Sequence, residues 1–289
     1  MKSVALAGPA VFIPAGVSHA CSSVNHDSFE LNSNPLNLGV MTWTLAMDWD
    51  IDTIIKNLAE ANYRSVELRT THAHGVEVTL NSSERAEVKR RFEDSPIEEI
   101  SLASAFSYHH PDQEQLLEHI EGTKEYTLLA RDVGATGIRV FPDALPENVP
   151  VEKTMEQIGK SLAEVGEFGY NHGVEIRVCN HGSGTNRIPV IKKIFDYSQS
   201  PHVYLNWNCD ASDVEGEGFE YNFNLVKDRI RSLHTHELWN EHYPYRKLFK
   251  MLSDNNFKGY CNAEIAGNED PVRLLRYYRG LFLALQNAL

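Results

Sequence analysis

The chain has 289 residues, 42% of them hydrophobic and 23% charged, a composition typical of a globular protein with a sizeable core. Its 40 acidic and 27 basic residues give a formal net charge of −13, which argues against nucleic acid as a partner because phosphate backbones are bound by cationic surfaces. Four widely spaced cysteines are too few for a disulfide-stapled scaffold, so we expect buried thiols.

Residues 1–35 precede the first predicted strand and form an N-terminal tail or an export signal. They start with a charge at Lys2, continue with an apolar stretch and reach small residues at Ser18 and Ala20, as cleaved signals do. Two prolines within the stretch weaken the helix that such a signal forms. An exported, periplasmic protein and a cytoplasmic one both stay open. No later run reaches the roughly 18 apolar residues of a membrane span, so none is predicted.

Residues 36–289 alternate between β-like runs and helical stretches, the pattern of parallel βαβ units. Eight such units in about 250 residues predict a single closed (β/α)8 TIM barrel. A doubly wound sheet usually carries a glycine-rich loop after its first strand, and "WTLAMDWD" has no glycine. The eight runs are "LNLGVMTW", "SVELRT", "EISLAS", "GIRVF", "VEIRVC", "VYLNWN", "IRSLHT" and "GYCNAEI".

Helical stretches between these runs have apolar residues at helical spacing, as in Ile51, Ile54 and Leu58. Asp50 is placed to cap that first helix, and Asp270 with Pro271 is placed to start the last one. These stripes are expected to pack against the barrel.

Polar side chains collect near the carboxyl ends of six of the predicted strands. In a TIM barrel the loops that follow the strands meet at one mouth, where the chemistry takes place. Burying so many polar groups together without a ligand is costly, which predicts a functional site there. The residues are His72, His74, Arg139, Cys179, His181, Asn208, His234, His236 and Glu264.

The runs "SVELRTTHAHGVE", "VEIRVCNHG", "NWN", "IRSLHTHELW", "YPYRKLF" and "GYCNAEI" resemble the sugar phosphate isomerase/epimerase family of xylose-isomerase-like barrels. The resemblance extends from residue 36 to the C-terminus. It implies a carbohydrate ligand and one divalent cation, held by carboxylates at the ends of strands five, six and eight and a histidine at the end of strand seven. His234 and Glu264 match two of these positions.

The other two positions depart from the family pattern, with Cys179 on strand five and Asn208 on strand six. The resemblance implies an epimerisation with two glutamate bases, and only Glu264 is in place. Three outcomes stay open. Cys179, Asn208, His234 and Glu264 bind Zn²⁺ or Mn²⁺, with Co²⁺ or Mg²⁺ as alternatives. The chain catalyses a one-base isomerisation, or a β-elimination from a keto-glycoside, with Glu264 and His181 or His236 as proton carriers. It has kept sugar binding and lost both metal and catalysis.

Other side chains near the mouth are expected to contact a sugar. His72, His74 and Arg139 are candidates for hydrogen bonds to its oxygens, and Trp43 and Trp239 for stacking on its ring. Glu67, Arg69 and Arg177 alternate into the barrel, where charges are expected to be paired in an ion-pair network. A homo-oligomer is compatible with the sequence.

Overall fold

The computed structural model describes residues 32–288. Residues 1–31 lie outside the described part, so the N-terminal tail or export signal predicted over residues 1–35 stays a prediction. Within residues 32–288, no helix is long and apolar enough to cross a membrane.

Eight parallel strands close into one barrel in chain order, with β1 paired to β8. All eight predicted strands are confirmed, because each predicted run contains or overlaps an observed strand. The strands are β1 (Asn37–Met41), β2 (Ser65–Arg69), β3 (Glu99–Ser107), β4 (Gly137–Phe141), β5 (Glu175–Cys179), β6 (Val203–Asn208), β7 (Ile230–Thr235) and β8 (Tyr260–Ala263).

A helix follows every strand. The side chain of Asp50 accepts a hydrogen bond from the backbone N–H of Thr53, and Asp270 does the same for Arg273, so both predicted caps are confirmed. The helices are α1 (Ile51–Ala61), α2 (Ser82–Glu93), α3 (Gln113–Val133), α4 (Val151–Asn171), α5 (Ile188–Ser198), α6 (Phe219–Val226), α7 (Tyr245–Asp254) and α8 (Pro271–Leu285).

Strand β5 shows how alternation separates the core from the site. Ile176 packs against Gly169 of α4, so the even-numbered side chains of this strand face the helical layer. Ile176 and Val178 are fully buried there, which stabilises the fold by about 2 kcal/mol for each side chain relative to exposure. Arg177 and Cys179 consequently point into the barrel.

The interior ion-pair network differs from the prediction in one member. Arg177 pairs with Glu99 at 3.2 Å and with Glu175 at 2.9 Å, as expected of a buried charge. Glu67 is paired as well, but higher in the barrel. Arg69 has no carboxylate within 4.0 Å among the described residues, because its guanidinium turns instead to the oxygens of Thr70.

Candidate functional site

The carboxyl ends of β7 and β8 place three side chains at the mouth. His234 pairs in register with Asn262, and the backbone N–H of Glu264 donates to the carbonyl of Thr235. Alternation along β7 and its extension sends His234 and His236 to the same side. These two strand ends therefore carry the histidines and the glutamate into one space.

The imidazole of His234 lies between two carboxylates. Its Nε2 is 2.9 Å from Oε1 of Glu67, and its Nδ1 is 3.2 Å from Oε2 of Glu264. Burial alone lowers the pKa of this histidine, but the charges of Glu67 and Glu264 outweigh burial and raise it well above the ordinary value. The carboxylates on both sides of the ring therefore favour the protonated, cationic imidazole of His234.

Glu67 is the inner partner of His234 and is fully buried. Its second carboxylate oxygen accepts a hydrogen bond from Nδ2 of Asn262 at 3.1 Å, and Nε of Arg139 lies 3.8 Å from the first. Burial raises the pKa of Glu67, yet His234 and Arg139 lower it below its usual range. Glu67 is thus an ionised, immobilised group that orients the imidazole.

Glu264 is the outer partner and remains partly accessible, with 19% of its side chain exposed. Burial raises its pKa, whereas His234, His236 and Arg139 lower it, to about 2 overall. The carboxylate is ionised at neutral pH and faces the mouth. It is the accessible proton acceptor of this cluster.

His236 lies beside Glu264 and contacts Asn208. Its Nδ1 is 3.2 Å from the carbonyl of Glu264 and 4.0 Å from the carboxylate, and its Nε2 is 3.0 Å from Oδ1 of Asn208. A neutral imidazole that donates through Nδ1 accepts through Nε2, which requires the Asn208 amide nitrogen to face it. The orientation of the Asn208 amide is therefore set by its contact with His236.

The predicted metal ligands are only partly assembled. Cys179 is buried at the end of β5, and the contact of Glu67 with Nε2 of His234 is typical of the outer partner of a metal-bound histidine. Asn208, however, is turned to His236. Among residues 32–288 no group of three or more His, Cys, Asp or Glu side chains is arranged to hold an ion. These residues, as arranged, do not complete the predicted ligand set for Zn²⁺ or Mn²⁺.

Aromatic rings and histidines line two sides of the mouth. On one side, Trp43 stacks on His72 with ring centroids 6.2 Å apart, and His72 is hydrogen-bonded to Thr42. On the other side, Phe141 lies between the guanidinium of Arg139 and the ring of His181, which is exposed. Trp43 is 44% exposed, so the part of its ring not covered by His72 and Arg69 can be reached by a ligand.

Two of the predicted substrate contacts lie elsewhere. Nδ1 of His74 accepts from the backbone N–H of Val76, so its Nε2 donates to the carbonyl of Arg69 at 2.8 Å. This leaves neither nitrogen for a sugar, and His74 instead fixes the loop after β2. Trp239 lies in a surface groove with Leu281 and Leu285 of α8, because the chain leaves the mouth after His236.

The structure adds residues that the sequence analysis did not place in the site. Asn262 and Phe141 contribute contacts to Glu67 and Arg139, and Glu67 itself is the direct partner of His234. Alternation within "GYCNAEI" puts Asn262 on the face of Glu264, so that signal was present in the sequence. The contact between Glu67 and His234 cannot be predicted from a local sequence pattern, because 167 residues separate them.

Comparison with solved structures shows the same fold in sugar epimerases. An L-ribulose 3-epimerase has a TM-score of 0.70 at 14% identity, covering 86% of this chain and 95% of its own. A 3-keto-D-glucoside 4-epimerase from E. coli has a TM-score of 0.71 at 13% identity, covering 86% and 99%. A D-allulose 3-epimerase from Methylomonas sp. has a TM-score of 0.69 at 12% identity, covering 87% and 98%. At these identities the likeness shows the fold alone.

The sequence comparisons give the family. No functionally curated protein matches this chain significantly. The family model described as "Xylose isomerase-like TIM barrel" matches residues 55–279, which include seven of the eight strands and the whole cluster around His234. The chain therefore belongs to the xylose isomerase-like TIM barrel family.

Proposed function

We propose that this protein is an enzyme of the isomerase or epimerase type that moves a proton at a carbon next to the carbonyl of a sugar or keto-sugar. The observation that carries the proposal is the pairing of accessible Glu264 with His234, which Glu67 holds from the other side. The similarity of the fold to epimerases that act on ketoses and on a keto-glucoside supports the same substrate class.

The proposed reaction uses a single carboxylate base. Glu264 accepts the proton from the carbon next to the carbonyl, and the electron pair of that C–H bond moves onto the carbonyl oxygen to give an enediolate. His236, beside Glu264, supplies a proton to that oxygen. The proton held by Glu264 then passes to the former carbonyl carbon, while the hydroxyl on the carbon that lost its proton becomes the new carbonyl and returns its proton to His236. An isomer is formed and both protein groups are restored.

A carboxylate with a pKa of about 2 is a weak base, so the surrounding charge must favour the transition state. The cationic His234 beneath Glu264 meets this need, because it stabilises the negative charge that develops on the substrate. The contact with Glu67 holds the imidazole of His234 in a fixed position. Trp43 and His72, whose rings stack with centroids 6.2 Å apart, are the proposed contacts for the sugar ring and its hydroxyls.

The same site contains some of the side chains that could bind a divalent ion. His234 and Glu264 offer two ligand atoms, and Cys179 is buried at the end of β5. A divalent ion bound there would supply Lewis acidity at the carbonyl. Since the described residues do not complete a ligand set, the steps above depend on the protein groups alone.

The test is a substrate panel in D₂O. The protein is incubated with L-ribulose, D-tagatose, D-allulose and 3-keto-glucosides, in EDTA and again with Mn²⁺ or Zn²⁺, and products are followed by NMR. We expect deuterium at the carbon next to the carbonyl, together with an epimer or isomer. Release of the aglycone from a keto-glucoside would identify a β-elimination instead. Sugar binding without any deuterium uptake, with or without metal, would contradict catalysis.

A further inference from the structure

Two arginines occupy one row across three neighbouring strands near the mouth. Arg69 on β2 is in register with Ala103 on β3, and Ala103 is in register with Arg139 on β4. Adjacent strands are about 4.8 Å apart, which places the two arginine backbones roughly 10 Å from each other. Only the methyl group of Ala103 stands between them on that row.

The charges of these two arginines are poorly compensated. Arg139 is buried, and its Nε has no hydrogen-bond partner among the described residues. The one described carboxylate within 4.0 Å of it, Glu67, is 3.8 Å away and is already bound by His234 and Asn262. An unpaired donor on a buried guanidinium is costly unless a ligand completes it.

Arg69 lacks a carboxylate partner altogether within the described residues. Its Nη1 donates to the carbonyl and the hydroxyl of Thr70, at 2.7 and 2.6 Å. The carboxylate of Glu77 is engaged elsewhere, by the N–H of Thr71 and the hydroxyl of Tyr126. Burial, followed by repulsion from Arg139, lowers the pKa of Arg69, which agrees with a missing negative charge between the two guanidinium groups.

Each guanidinium is also packed on an aromatic ring. The guanidinium carbon of Arg69 is 5.8 Å from the centre of the Trp43 ring, and that of Arg139 is 4.0 Å from the centre of the Phe141 ring. Stacking occupies the face of a guanidinium and leaves its N–H donors free at the edge. One Nη1 of each group is used for a protein contact, by Arg69 on Thr70 and by Arg139 on the carbonyl of Ser104 at 2.7 Å. The remaining N–H donors at the edge of each guanidinium are the ones offered to a ligand.

We propose that Arg69 and Arg139 form a subsite for an anionic group, a carboxylate or a phosphate, on the sugar substrate. The inference deepens the proposed function and depends on it for the sugar part of the ligand. The planar donor fork of arginine matches both oxyanions. Arg69 has no carboxylate within 4.0 Å among the described residues, and Arg139 has only Glu67, shared with His234, at 3.8 Å. In a chain of net charge −13 this local excess of positive charge is one that an anionic group would complete.

The experiment measures binding by calorimetry at fixed ionic strength, using D-fructose, D-fructuronate and D-fructose 6-phosphate. These probes share a ketose and differ in charge at one end. We expect at least one anionic sugar to bind about tenfold more tightly than fructose, since a hydrogen bond to a charged group contributes about 1.5 kcal/mol or more. Preference for fructuronate identifies a carboxylate site, and preference for the phosphate identifies a phosphate site.

Arg69→Gln is the test variant, because Arg69 has no ion pair to lose. In this variant the ratio of the affinity for the anionic sugar to the affinity for fructose should fall to about one. Arg276→Gln removes an exposed helix arginine paired with Glu60 and should keep the preference. Equal binding of all three sugars, or a preference that survives in folded Arg69→Gln, would overturn the subsite.

The two proposals fail separately. Deuterium exchange into fructose without any anionic preference would remove only the subsite. An anionic preference in both the wild type and Glu264→Gln, without exchange into any sugar, would remove only the catalytic proposal.

Discussion

Glu67 and His234 lie on strands that are not neighbours, yet their side chains meet at 2.9 Å in the barrel interior. Strands β1 and β8 separate them along the sheet. The contact therefore crosses the interior and fixes one ring nitrogen of His234 from below, leaving the other to Glu264. It links the packing of the barrel interior to the side chain of Glu264 at the mouth.

Replacing Glu67 by Gln should destabilise the protein by about 3 kcal/mol, because the cations of His234 and Arg139 lose their buried counter-charge. The measurement is urea unfolding at pH 7. Glu220→Gln, which breaks an exposed pair with Lys247, is the matched control and should cost under about 1 kcal/mol. If the two variants lost the same free energy of unfolding, the buried contact would contribute no more than an exposed ion pair.

Gly39 on β1 is expected to be a second determinant of this contact. A Cβ added to Gly39 would overlap Oδ1 of Asn262, whose amide nitrogen donates to Glu67. Gly39→Ala should therefore displace Asn262 and cost about 1 to 3 kcal/mol through overpacking. The measurement is urea unfolding. Gly280→Ala is the control, because a Cβ at this helix position meets open space. Unchanged stability of Gly39→Ala would contradict the close approach.

His234 should be an imidazolium in the metal-free protein. Burial favours the neutral form, but the carboxylates of Glu67 and Glu264 outweigh burial and hold the pKa above its ordinary value of 6.5. The ¹⁵N shifts of a histidine-labelled sample in EDTA at pH 7.5 should show both ring nitrogens protonated. Glu264→Gln removes one counter-charge and should lower the titration midpoint. A single protonated nitrogen in the wild type would contradict the assignment.

Asp213 should make stability fall as pH rises. Burial raises its pKa from 3.8 to about 7, although Tyr243 donates a 2.6 Å hydrogen bond to it. Because the folded pKa is the higher one, the stabilising contribution is complete below pH 3.8 and is lost as pH rises towards 7. The shift corresponds to about 4 kcal/mol in total, of which roughly 2 to 3 kcal/mol falls between pH 5 and pH 8.

The measurement is urea unfolding at both pH values for the wild type and Asp213→Asn, which cannot ionise. Between pH 5 and pH 8, the free energy of unfolding of Asp213→Asn should increase by roughly 2 to 3 kcal/mol relative to that of the wild type. Exposed Asp254→Asn should follow the wild type. If the free energies of unfolding of Asp213→Asn and the wild type changed equally between pH 5 and pH 8, the carboxyl of Asp213 would have its ordinary pKa in the folded protein.

The strands and the position of the site follow from local sequence patterns. Alternation within β5 and β7 predicts that Cys179 and His234 face inward, and the strand order of a barrel brings their ends to one mouth. The same reasoning predicts Glu264 there. These inferences need only the period of each strand, which is local information.

Pairings across the interior do not follow from such patterns. The contact of Asn208 with His236, rather than with His234, depends on side-chain rotation. His74 appears polar and available in the sequence, but the turn after β2 occupies both of its nitrogens. Trp239 is only three residues beyond His236, and the direction of the loop decides that it lies outside the mouth.

The central claim is that Glu264 carries the substrate proton, and the rate of deuterium uptake in D₂O tests it most directly. On any sugar that the wild type exchanges, Glu264→Gln should be slower by about a hundredfold or more, because the amide cannot accept the proton. Glu241→Gln, in the loop after β7, is the control and should exchange at the wild-type rate. A Glu264→Gln protein that takes up deuterium as fast as the wild type would contradict the account.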